Sequence, residues 1–225
     1  METFRKILIW IPILLGGARI TISLTILSIL AGVILSLFIA LGKMSKNVVI
    51  SKVCAGYVFF FRGTPLLMQL YCIYYALPMM SRIFLIQTGN EDVNRFIYAF
   101  IAYSLNCAAY CAEIIRAAIQ SIDKGQFEAS RALGLSYAQT MRLVIVPQSI
   151  RRLIPPVGNE FIMMLKDASL VSMIGLADII RVTRTIEGST RSALIYFPAL
   201  GLYLVITAVF TFIFHKLEKK FSVYE

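Results

Sequence analysis

The sequence predicts an all-α integral membrane protein with five transmembrane helices, and three observations carry that expectation. The residues are 59% hydrophobic and only 15% charged, with a mean hydropathy of +0.78, too apolar a mixture for a soluble domain of 225 residues. Two runs, Ile20–Gly42 and Ser192–Phe214, carry no charge over 23 residues each. As helix each would be about 34 Å long, enough to cross a hydrocarbon core of about 30 Å. Finally, residues 120–168 form the one long polar segment, so the rest reads as membrane built around a single aqueous loop.

The chain opens with Arg5-Lys6 before the apolar run Ile7–Leu15. That resembles a secretory leader without a small-residue cleavage site. Pro12 and Gly16-Gly17 interrupt the run, which is shorter than the ~20 residues of a span, so an interfacial helix with Trp10 at headgroup depth is expected over about 4–18. A partial span there is left open. The first span covers about 20–42 and ends at Lys43, Lys46 and Lys52. A second stretch, about 53–80, contains Arg62-Gly63-Thr64-Pro65, where glycine and proline should break the helix as at transporter binding sites. The third, about 96–118, is apolar up to Glu113 and Arg116. The fourth, about 153–175, carries Glu160, Lys166 and Asp167 and would fail a plain hydropathy filter. The fifth covers about 192–214, and the whole chain, 1–225, forms one membrane domain.

Loop charges orient these spans. With five of them, twelve basic residues lie on the side of Lys43, Lys124 and Lys216, and eight lie on the side of Arg82, Arg95 and Arg181. The first side is therefore expected to be cytoplasmic, with the amino terminus outside and the carboxyl terminus inside the cytoplasmic membrane. Arg5 and Lys6 run against that rule. The net charge of +10 is spread between apolar runs rather than gathered in a block, so it suits an anionic membrane surface and not a nucleic acid. Cys54, Cys72, Cys107 and Cys111 lack the spacing of a metal or redox site and read as small buried side chains. One histidine, His215, excludes a histidine metal cluster and reads as interfacial.

Within the polar segment, a coupling loop is expected over about 120–150. Asp123 with Gln126 reads as a capping box opening a short helix, and Gly134 suits the left-handed residue that closes it. Ser136 with Gln139 restarts a second helix with Tyr137, Met141, Val144 and Ile145 on one apolar stripe, ending at Pro147. Two short helices at a glycine elbow make a helix-in-groove docking element.

Glu128-Ala129-Ser130, then Gly134, then Val144-Ile145-Val146-Pro147 resembles the EAA loop of permease subunits of ABC importers. Ser130 replaces the second alanine of that pattern, and Val144 and Val146 replace isoleucine and leucine. Gln148, Arg151, Pro155, Asn159 and Leu165-Lys166-Asp167 resemble the branch that imports polar amino acids. Phe61-Arg62-Gly63-Thr64-Pro65, Ala109-Tyr110 and Glu113-Ile114-Ile115-Arg116 fit the same branch. The resemblance covers roughly residues 15–217 and implies a type I permease core. It implies that Gln126, Glu128, Ala129, Arg131, Gly134, Tyr137 and Met141 dock on an ABC ATPase subunit. It also implies a second permease subunit, identical or homologous, an external substrate-binding protein, and ATP and Mg used by the ATPase, with no cofactor on this chain.

The residues add their own argument about substrate. Charges inside a bilayer cost a few kcal/mol each, so they mark function or a closed ion pair. Glu113 and Arg116, three apart, could simply satisfy each other. Glu160 and Asp167 are seven apart and share a face with Met163 nearby, while Lys166 points about 100° away. Arg62, Gly63 and Thr64 either open the broken helix toward a cavity or only kink it for packing. Ser104 and Asn106, mid-span, suit a path or interhelical hydrogen bonds. Together with Asn159, these are the candidate path residues. Acids for an ammonium and cations for a carboxylate suit an amino acid, with a preference for basic ones, or else for glutamine. No GxxxxGK[ST] fingerprint is present, so the chain is not expected to hydrolyse ATP. A passive channel or a membrane-embedded enzyme is the rival class.

Overall fold

The computed structural model describes residues 2–221, with side chains from Ile9 onward, and every regular element among them is helical. The helices are α1 (Glu2–Lys43), α2 (Val48–Gly63), α3 (Leu66–Tyr71), α4 (Leu77–Met80), α5 (Glu91–Gln120), α6 (Lys124–Ala132), α7 (Tyr137–Thr140), α8 (Val146–Asp167), α9 (Ile179–Thr190) and α10 (Tyr196–Phe221). By length and composition, α1, α5 and the segment Ala193–Phe221 can each cross a membrane, and Val48–Gly63 with Leu66–Met80, bent by 105° at their break, has the composition of a fourth, broken span or of a re-entrant loop. α8, the remaining expected span, is not apolar enough to qualify, because Arg151, Arg152, Glu160, Lys166 and Asp167 share its 22 residues.

The amino end departs from expectation. No interfacial helix is separated from the first span, since α1 runs unbroken for 42 residues through Pro12 and Gly16-Gly17. Packing is the reason. Trp10, Leu14 and Ala18 are buried against Ile179, Ile186, Ile195 and Ala199, so one face of α1 is held by α9 and α10. Gly17 lies directly on the start of α9, where a Cβ would come within 2.8 Å of the Asp178 backbone. The other expected boundaries shift by a few residues: α5 and α10 are longer than their apolar cores, and α8 starts before residue 153.

α1 and α5 form the centre of the bundle. Their contact is built from small residues: Ala99, Ala102, Ala108, Ala109 and Ala112 are fully buried, and a Cβ on Gly32 would lie 2.7 Å from Cys107. Small side chains of this kind let helix backbones approach where lipid offers no hydrophobic drive. Cys72 is exposed rather than buried, whereas Cys107 and Cys111 are buried, with their sulfurs 3.7 Å apart. Local chemistry starts the helices. Asn47, Asn90 and Asp178 each accept backbone N–H groups at the N-termini of α2, α5 and α9.

The second docking helix does not stop at Pro147. The chain passes from α7 through a π turn, Met141–Ile145, directly into α8, whose first turn contains Pro147. A second π turn, Cys72–Ala76, stands at the same offset before Pro78. Proline brings no N–H and its ring crowds the carbonyl four residues back, and a widened turn relieves that clash without ending the helix.

Candidate functional site

The site begins at the break between α2 and α3. Thr64 and Pro65 are extended, which frees the carbonyls at the end of α2. Gln69 and Asn106 take them up. Gln69 Nε2 lies 2.9 Å from Phe61 O, 3.0 Å from Thr64 O and 2.8 Å from Thr64 Oγ1. Asn106 Nδ2 donates to Gln69 Oε1 at 2.9 Å and to Phe61 O at 3.2 Å. Asn106 thus serves an interhelical bond, and the broken end is fixed rather than loose.

Beside this break lies a cavity of about 480 Å³, the outer cavity, lined by Arg62, Gly63, Thr64, Asn106, Glu160, Met163 and Asp167. Seven of the eleven candidate path residues therefore meet in one place. α8 supplies Glu160 and Asp167 from one wall, and α2 supplies Arg62 from the other. The Tyr103 hydroxyl of α5 donates to Asp167 O at 2.7 Å and pins that end of α8. The four remaining candidates lie elsewhere. Ser104 is buried against α1, Asn159 is exposed away from the cavity, and Lys166 lines a separate apolar groove with Tyr203 and Leu204. Glu113 lines a neighbouring cavity of about 450 Å³, the inner cavity, with Lys43 and Arg62.

Glu113 is not simply paired with Arg116. Lys43 bonds its Oε1, while Arg116 donates to Oε2 from Nε at 3.2 Å and Nη2 at 2.8 Å. Arg62 Nη1 stands 3.9 Å from the same oxygen, and its guanidinium lies 5.2 Å from the centre of the Tyr110 ring. One carboxylate thus faces three cations from three helices.

At the far end of α5, the loop 121–140 forms the second feature. Leu135 N bonds Ser130 O at 3.0 Å and Gly134 N bonds Arg131 O at 2.9 Å, with Gly134 at φ +76°, a Schellman close for α6. Ser136 and Gln139 make a reciprocal capping box on α7. The opening differs from expectation. Asp123 caps through Gly125 N, and Gln126 bonds Gln148 instead of completing a box, because the return of the chain into α8 puts that amide within reach. The stripe is also rearranged, since Ile145 is buried with Thr140 while Tyr137 is 71% exposed. Glu128, Ala129, Arg131 and Gly134 are exposed on the same loop, and Met141 is half-buried.

A family model described as "Binding-protein-dependent transport system inner membrane component" matches residues 28–223. The chain belongs to this family. It is the multi-pass, membrane-embedded component of such a transport system and a transport subunit rather than an enzyme, with ATP hydrolysis carried by a separate partner. The L-cystine transport system permease protein TcyB of Bacillus subtilis (strain 168) is 40% identical over 215 residues, covering 95% of this chain and 88% of that one. The glutamine transport system permease protein GlnP of Escherichia coli (strain K12) is 36% identical over 218 residues, covering 96% of each. A crystal structure described as "an amino acid ABC transporter with histidines" superposes with a TM-score of 0.87 at 38% identity, covering 96% of this chain and 98% of that one.

Three residues of this family member's sites escaped sequence reasoning. Tyr110 lines both cavities, and its spacing from Asn106 and Glu113, four and three residues, was the available signal. Leu133, 80% exposed beside Gly134, extends the exposed face of the loop 121–140. Gln69 sits in an ordinary apolar run, and nothing local marks it.

Proposed function

We propose that the chain is a permease subunit of an ATP-driven ABC importer for polar amino acids, with a preference for substrates that carry a second positive group, such as arginine, histidine or lysine. The charge of the outer cavity carries this reading. Arg62 stands on one wall and Glu160 and Asp167 on the other. One acid takes the α-ammonium, the guanidinium takes the α-carboxylate in a bidentate pair, and the second acid is left for a cationic side chain. The relatives named for L-cystine and glutamine, and the structure described with histidines, support the amino acid class. Cystine brings a second ammonium of its own. Glutamine or another uncharged polar side chain is the alternative, favoured by the neighbouring Lys166, whose charge could offset Asp167.

The same geometry argues for assembly. An open cavity holding Arg62, Glu160 and Asp167 at membrane depth cannot face lipid at low cost, so a second permease subunit, identical or homologous, closes it. ABC ATPase subunits dock on α6 and α7 at the cytoplasmic face, and an external binding protein delivers the amino acid. ATP and Mg bind the ATPase, and this chain binds no cofactor. Closure of the ATPases draws the paired loops together and rocks the helices between inward- and outward-facing states.

The test is the complete complex in liposomes with Glu160→Gln and Asp167→Asn. Arginine should stimulate ATP hydrolysis more than glutamine, and both variants should keep their expression. One of them, lacking the side-chain acid, should lose about tenfold or more of arginine uptake while keeping most glutamine uptake, whereas the other, lacking the α-ammonium acid, should lose both. Equal loss of both substrates in both variants, or no loss in either, defeats the preference.

A further inference from the structure

Arg62, Gly63 and Tyr110 line both the outer and the inner cavity, and the Arg62 guanidinium, stacked over the Tyr110 ring, is the charged group of the partition between them. The two cavities have opposite charge. Glu160 and Asp167 border the outer one, whereas the inner one gathers Lys43 and Arg62 around the single acid Glu113. That acid is already engaged. Its Oε1 is bonded by Lys43, its Oε2 by two nitrogens of Arg116, and it is only 16% exposed. Arg62, at 3.9 Å, makes no hydrogen bond to it, and its side chain is 44% exposed. Its donors are therefore available to an anion on either side of the partition, and Arg116 has already discharged Glu113 as a competitor.

We infer that the inner cavity is a second anion site on the translocation path, which receives the substrate's α-carboxylate after it leaves the outer cavity, with Arg62 as the group shared by the two sites. This rests on the proposed amino acid importer. Lys43 supplies the second charge, and the end of the bundle at which it stands is also the end that carries the loop 121–140. A carboxylate passing from one cavity to the other keeps its pairing to Arg62 throughout, so it is never left bare at membrane depth. Cation–π contact with Tyr110 holds the guanidinium over the partition while its edge turns.

Ala55 lines only the inner cavity and is partly buried there, which makes it the place to test the idea. In the complete complex, Ala55→Glu places a fixed carboxylate beside Lys43 and Arg62, and Ala55→Gln adds the same bulk without charge. The amino acid giving the largest ATPase stimulation among arginine, cystine and glutamine is used for equilibrium binding, stimulated hydrolysis and uptake. Ala55→Glu should keep binding and stimulated hydrolysis within about twofold and lose about tenfold in uptake, while Ala55→Gln stays near the parent. Lys43→Gln should show the same split, and Lys43→Arg should restore uptake. Equal uptake by the Glu and Gln variants, or loss of binding together with uptake, overturns the inference. A failure of the importer reading is seen separately, as no stimulation by any of the three amino acids in the parent complex.

Discussion

Gln69 holds the broken end of α2 with one side-chain amide, whose nitrogen is within 3.0 Å of three acceptors while its oxygen accepts from Asn106. Gln69→Leu leaves Thr64 O without its donor and Asn106 with one bond instead of two. An orphaned buried polar group costs roughly 1–3 kcal/mol, so the purified complex should unfold at a lower temperature. Uptake should fall further than stability alone implies, because Arg62 is carried on the end that Gln69 anchors. Unchanged uptake at unchanged unfolding temperature would show that the break holds itself. Asn106 was legible in sequence as an amide in mid-span, and Arg62 as a charge beside a Gly-Thr-Pro break. Their partner was not, because a glutamine in an apolar run reveals its contacts only after the chain has turned back on itself by 105°. Glu113 was legible only in part. Arg116 lies on its own helix, whereas Lys43 and Arg62 arrive from α1 and α2.

α6 and α7 depend on one residue in the left-handed region. Gly134 at φ +76° has open space around its Cα, so a side chain there is opposed by the backbone and not by neighbours. Gly134→Val should cost roughly 1–2 kcal/mol locally and misalign α7, and with it the exposed Leu133 and Tyr137. Transport and substrate-stimulated ATP hydrolysis should fall while the protein still reaches the membrane. Normal coupling in the Gly134→Val complex would remove the docking role from this elbow. The elbow and the Ser136 cap were readable because both are local patterns of a few residues. The run through Pro147 was not. Its π turn joins α7, which packs on α6, to α8, which packs on α5 and α10, and α1 continues across Pro12 without such a turn because α9 and α10 hold its face.

Orientation is a property of the whole molecule, and neither helix packing nor family membership fixes it. The charge margin of twelve against eight favours a cytoplasmic loop 121–140, and an uninterrupted α1 carrying Arg5 and Lys6 at its outer end opposes it. The architecture weighs on the same side as the majority. α1 and α5 descend together, so the end of α1 at Lys43 and the end of α5 at Gln120 lie on one face, and the basic residues Lys46, Lys52, Lys124 and Arg131 gather there. Labelling decides between the two arrangements. On a background with Cys54, Cys72, Cys107 and Cys111 replaced by alanine, Lys124→Cys and Gln87→Cys each place an exposed thiol in a loop, one at either face. An impermeant maleimide added to intact cells should modify the Gln87→Cys protein and spare the Lys124→Cys protein, and opening the cells should end the protection of the second. The opposite pattern would invert the molecule. The ATPase would then have no access to the Gly134 elbow, so the docking assignment stands or falls with this result.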